Sequence, residues 1–216
     1  MTLFAGAGFQ CITHAVGDRG VQAALDAYEA APSATEHRHA PHRVEHIELV
    51  QAADVPRFAA LGVTSSMQPL HMAAANADAA DEWAARIGPE RTARAFPAQE
   101  LLQAGATLAL GSDWMVAPFD PRLGMAWARL RRAPGQEVVP PRAPDQALSG
   151  LETLHGYTSG AAAAIAESHL SGRIKPGYRA DLTGFAADPV DTDADELVDL
   201  PVLMTIVDGH VTHEAR

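Results

Sequence analysis

Short apolar runs alternate along this chain with longer segments whose apolar positions recur at spacings of three and four, and that alternation limits the fold more than any other feature. A strand followed by an amphipathic helix, repeated, is the pattern of parallel βα units packed into a buried sheet. Residues 9–13 read as a first strand, followed by a helix with Val21, Ala24, Leu25 and Tyr28 on its apolar face. Residues 44–47 read as a second. Asp54 caps a helix carrying Val55, Phe58 and Leu61, Gly62 stops it, and a third strand covers 63–66. After a polar, Ala-rich excursion, a helix over 98–104 ends at Gly105, a fourth strand covers 107–110, and another helix covers 122–131.

Pro134, Pro140, Pro141 and Pro144 mark a surface loop before two helical patterns, 151–157 and 161–167. Beyond Ser171 the period changes. Residues 172–177, 180–186, 202–207 and 210–213 read as short antiparallel strands, the last two joined at Asp208-Gly209, a strong hairpin signal.

An apolar content of 47% suffices for an ordinary core over 216 residues. The net charge of -11 argues against a nucleic-acid partner, which needs clustered cations. No apolar run approaches the roughly 20 residues that span a bilayer, so a membrane partner is not expected. Cys11 is the only cysteine, which excludes an internal disulfide and fits a reducing compartment. The expectation is a cytoplasmic protein acting on a small molecule.

Three runs carry the chemistry: Thr13-His14-Ala15-Val16-Gly17-Asp18, Arg43-Val44-Glu45-His46 and Leu110-Gly111-Ser112-Asp113. Each places a metal-ligating residue type at the C-terminal end of a strand, where the βα loops of such folds open and strand ends converge. Two imidazoles and a carboxylate suit a divalent ion, with zinc the first choice. Such an ion lowers the pKa of its water from 15.7 to about 7, and Asp113 is placed to move the proton. Arg43 and Glu45 either orient His46 or pair with each other. Gln68 and His71 line the same mouth, where they touch substrate or close a turn. His37 and His39 follow a polar segment rather than a strand, and with His42 they read as a solvated loop.

The runs from Gly8 to Arg19 and His42 to His46, with Ser66-Met67-Gln68-Pro69, Gly111-Ser112-Asp113 and Gly172 to Leu182, together resemble the amidohydrolase superfamily. Within it they resemble the branch of N-substituted formamide deformylase-like, metal-dependent hydrolases. The resemblance implies a distorted (β/α)₈ barrel with a small composite β domain. It also implies that His14 and His46 are the metal-binding histidines of the fifth and sixth strands, and that Asp113 is the eighth-strand aspartate. It fails at two points. There is no His-x-His pair on a first strand, and Lys175, the only lysine, lies in the β segment and so cannot bridge two metals from a barrel strand.

With four βα strands legible where a closed barrel needs eight, the expectation is the C-terminal half of a TIM-type barrel over 1–170 and a β composite segment over 171–216. The expected activity is metal-dependent hydrolysis of a non-peptide C–N bond. Competing readings are an inactive fragment or subunit that needs an N-terminal partner chain or a homo-oligomer, and a non-enzymatic α/β ligand-binding protein.

Overall fold

The computed structural model describes residues 2–31, 40–74 and 82–215. A short helix, α1 (Thr2–Gly6), precedes β1 (Ile12–Ala15), and α2 (Asp18–Glu29) leads to β2 (Arg43–His46). Helix α3 (Val55–Leu61) leads to β3 (Thr64–Met67), followed by a 3₁₀ turn over Pro69–Ala74. Helices α4 (Glu82–Ile87), α5 (Pro89–Thr92) and α6 (Ala98–Gln103) then lead to β4 (Leu108–Leu110). The four strands form one sheet in the order β1-β2-β3-β4, every pair parallel. This is the mixed α/β, parallel-sheet architecture expected from the sequence.

Register aligns the C-terminal ends. Ala15 lies beside His46 and Met67 beside Leu110, so the loops that follow share one edge of the sheet. The first strand sits later than expected: β1 starts at Ile12 because pairing begins with Arg43, and Phe9 is exposed. His14 is therefore inside the strand and not at its terminus. His42, expected in a solvated loop, is instead 3% exposed. Its carbonyl accepts from Thr64 N–H, its Nδ1 accepts from Cys11 N–H at 3.0 Å, and its ring stacks on Tyr28. Immediately preceding β2, it is drawn into the sheet by that backbone bonding. His37 and His39 lie outside the described residues.

Helix α2 buries Val21, Ala24, Leu25 and Tyr28, the face read from spacing. Helix α3 starts after Asp54 and ends at the left-handed Gly62, but the Asp54 side chain makes no cap bond. It pairs with Arg57 at 2.8 Å, and Arg57 also grips Asp26 and Glu29 of α2. A charge-assisted bond outcompetes a neutral backbone donor. Val44, Phe58 and Leu101 are fully buried between sheet and helices.

Helix α7 (Pro121–Leu130) packs on the 3₁₀ turn after β3, capped by Asp120, which accepts from Arg122 N–H. Just past its end, Arg131 is 2% exposed and donates to the carbonyls of Ala95, Phe96 and Arg142. Burial, with a smaller push from Arg142, pulls its pKa down to about 9, so it stays charged at neutral pH. The two helical patterns near the C-terminal region merge. Helices α8 (Gly150–His155) and α9 (Ala161–Ala164) run continuously through a π turn at Gly156–Gly160. The glycines there let the helix lie on β4: a Cβ on Gly160 would sit 2.0 Å from the Leu108 carbonyl oxygen.

Strands β5 (Leu182–Phe185), β6 (Val202–Val207) and β7 (His210–Glu214) form a separate antiparallel sheet. Asp208 and Gly209 both have positive φ, as the expected tight hairpin requires. Residues 172–177, expected as a strand, are turns, because Gly172 and Gly177 are left-handed and Pro176 has no N–H to donate.

Candidate metal centre

β2 delivers His46 and the loop after β4 delivers Asp113, each with left-handed backbone, φ 78° and 57°. Such a conformation costs a non-glycine residue about 1–3 kcal/mol and persists where surrounding contacts enforce it. The 3₁₀ turn after β3 delivers His71. Among the described residues, His46, His71 and Asp113 form a group whose potential ligand atoms all lie within 4.8 Å of one another. His71 Nε2 stands 3.7 Å from Asp113 Oδ2, too far for a hydrogen bond.

That nitrogen is buried and has no hydrogen-bond partner. A stranded acceptor or donor is costly in an apolar setting, and a cation held between His71, His46 and Asp113 satisfies it. The donor set of two imidazoles and a carboxylate suits a divalent ion of the zinc type. Burial first, and then the neighbouring His46, lower the pKa of His71 against the opposing pull of Asp113. The ring is thereby kept neutral, the form that carries a lone pair for a metal.

His14, a ligand on the sequence reading, is not in that group. Its ring meets His46 edge-on with centroids 4.4 Å apart, while His71 stacks on the same His46 ring at 5.4 Å. Spacing alone assigns His71 a substrate or turn role; the clue to more is its place in Ser66-Met67-Gln68-Pro69-Leu70-His71, just past a strand end.

Arg43 and Glu45 pair with each other, Nε to Oε1 at 2.6 Å. Glu45 Oε2 accepts from Gln68 Nε2 at 3.1 Å, and Gln68 Oε1 lies 2.9 Å from His46 Nδ1. Gln68 thus links the Arg43–Glu45 pair to His46. A cleft of about 280 Å³ lined by Asp18, Leu49, Val50, Glu90, Arg91 and Arg94 opens elsewhere in the fold, crossed by an Arg91–Asp18 ion pair at 2.7 Å. It includes none of the converging residues.

Parallel strands whose C-terminal ends gather imidazoles and a carboxylate define an α/β protein with a candidate metal centre. The sequence profile described as the amidohydrolase family matches residues 1–213, and the chain belongs to that family. It is 32% identical over 208 residues to Protein LONG AFTER FAR-RED 3 of Arabidopsis thaliana, covering 94% of this chain and 34% of that protein. It is 30% identical over 207 residues to N-substituted formamide deformylase of Arthrobacter pascens, covering 96% of this chain and 37% of that one. An uncharacterized metal-dependent hydrolase from Pyrococcus horikoshii OT3 superposes with a TM-score of 0.67 at 26% identity, over 96% of this chain and 37% of its own. The chain thus spans well under half the length of the relatives it matches.

Proposed function

We propose that this chain carries part of the active site of a metal-dependent amidohydrolase that cleaves a non-peptide C–N bond in a small molecule. The observation that carries the reading is the convergence of His46, His71 and Asp113 at the strand ends, with a stranded nitrogen in the middle. His46, His71 and Asp113 hold the ion, zinc in the first instance, with His14 set edge-on against the His46 ring. The ion, when bound, supplies Lewis-acid polarisation of a carbonyl and acidifies water. Asp113 receives the proton and passes it to the departing nitrogen, a role suited to a carboxylate that is partly exposed at the mouth. Kinship with a formamide deformylase supports an amide-type substrate.

In the same reading, residues 1–170 are the later half of a barrel and 171–216 a composite β segment, completed by further βα strands from an N-terminal partner chain or a second copy. Both edges of the parallel sheet, β1 and β4, are unpaired among the described residues. Leu3, Phe4, Phe9 and Ile12 near one edge and Trp114, Met115, Val116 and Phe119 beyond the other are exposed. The accessible surface is 11510 Å² for 22.8 kDa, against about 9,600 Å² for a typical monomer of that mass. The chain on its own is then expected to be catalytically silent, acting in the cytoplasm once completed.

Metal analysis and turnover of simple amides, with His14→Ala, His46→Ala, His71→Ala and Asp113→Ala, test this in the protein supplied with its N-terminal partner. Loss of metal in His46→Ala, His71→Ala and Asp113→Ala is expected. Unchanged metal content and turnover in all four variants would overturn it, and full amidase activity of the monomeric chain alone would overturn the need for completion.

A further inference from the structure

We propose that Gln68 is a positioning residue that fixes the imidazole tautomer of His46, and that the Arg43–Glu45 ion pair in turn fixes Gln68. The inference rests on the reading of His46 as a metal ligand and gives Gln68 a task different from touching substrate.

Each link follows from groups that have only one role available. Arg43 Nε lies 2.6 Å from Glu45 Oε1, an ion pair that sets a cation beside the carboxylate. An ionised carboxylate only accepts hydrogen bonds. The end of the Gln68 amide facing Glu45 Oε2 at 3.1 Å is therefore its NH₂ group. The other end, 2.9 Å from His46 Nδ1, is then the carbonyl oxygen, which also only accepts. Nδ1 must carry the hydrogen, and in the neutral ring Nε2 keeps the lone pair. Nε2 becomes the one nitrogen of His46 able to bind a cation.

The chain of contacts selects between the two tautomers and changes no proton count. Gln68 and His46 are 6% and 8% exposed, so water does not compete effectively for either bond. With both ends of its amide engaged, Gln68 is held at the end of β3 as a rigid spacer between two adjacent strands. Side chains of β2 and of the residue just after β3 build the device, and the sheet register that sets Glu45 beside Ser66 brings them together.

The test uses metal-free protein labelled with ¹⁵N-histidine, in which two-bond ¹H–¹⁵N correlations report which ring nitrogen carries hydrogen; His46→Gln identifies the signals. The wild type is expected to show the Nδ1–H form at His46. Gln68→Met, nearly isosteric but without donor or acceptor, is expected to shift the ring toward the Nε2–H form. Glu45→Gln, which lets the Gln68 amide turn over, is expected to do the same, with circular dichroism verifying that both variants fold. An Nε2–H ring in the wild type, or unchanged tautomer in both folded variants, would overturn the proposal.

A Co²⁺ titration separates this from the functional reading. Gln68→Met is expected to weaken Co²⁺ binding by about 10- to 100-fold, the usual effect of removing a partner of a ligating histidine. If the tautomer responds but neither Gln68→Met nor His46→Gln changes Co²⁺ affinity, His46 is not a ligand and the functional reading falls. If His46→Gln abolishes binding while the tautomer is indifferent to Gln68, the metal centre stands and the relay falls.

Discussion

Replacing Gly160 by Ala sets helix propensity against a steric demand of the tertiary structure. Gly160 has ordinary right-handed helical angles, φ -67° and ψ -47°, so alanine meets no backbone strain there. Propensity alone would make Gly160→Ala stabilising by up to about 1 kcal/mol. The added Cβ, however, would lie 2.0 Å from the Leu108 carbonyl oxygen and 3.1 Å from its carbon. The obstacle is the backbone of β4, which cannot rotate aside as a side chain can, so the helix and strand must separate by more than an ångström to restore van der Waals contact. Overpacking of this kind costs about 1–3 kcal/mol, at the upper end where backbone blocks relief, so after the propensity gain a net loss of about 2 kcal/mol is expected.

For a chain of this size that is a fall in Tm of about 4–8 °C. Gly20→Ala, in α2, is the internal control: its Cβ would rest 3.6 Å from Ala15 Cβ of β1, an ordinary contact. It is expected to raise Tm by about 1–4 °C. Thermal unfolding of both variants under identical conditions decides the matter. A neutral or stabilising Gly160→Ala would refute the claim that glycine is required for the helix to lie on β4. Because β4 leads within three residues to Asp113, Gly160→Ala is also expected to weaken Co²⁺ binding, whereas Gly20→Ala leaves it unchanged.

Phe58 is fully buried between α3 and the sheet, so Phe58→Ala should cost about 3–5 kcal/mol in a denaturant titration. Asp195, held below its ordinary pKa by Arg132 and then by the Gly135 N–H, joins the end of α7 to the segment before β6. A lowered carboxylate pKa means that the unfolded chain takes up the proton first as pH falls, so this contribution is present above about pH 4 and fades below it. Asp195→Asn should therefore lower stability by about 1.5–3 kcal/mol at pH 7 and by progressively less as the pH drops below 4, as followed by denaturation at several pH values.

The helix faces and the parallel class were legible because burial imposes a period on the sequence, as Val21, Ala24, Leu25 and Tyr28 illustrate. The hairpin at Asp208-Gly209 was legible because few residues accept positive φ at successive positions. His46 and Asp113 were visible as candidate ligands from their place after apolar runs. Strand limits were less so: β1 was displaced by pairing with β2, and Gly172–Gly177 bent into turns where a run of apolar and basic residues had suggested a strand.

What sequence alone determined, then, was the alternation of strands and helices and the residue types available for chemistry, since both depend on local spacing. The tertiary structure decided which of those residues meet. His71 joined His46 and Asp113 because a 3₁₀ turn folds it back over the strand ends, and Gln68 reached both Glu45 and His46 because parallel register sets β2 beside β3. His42 left the surface for the same reason. Convergence across strands is a property of pairing and register, and no spacing within a single segment encodes it.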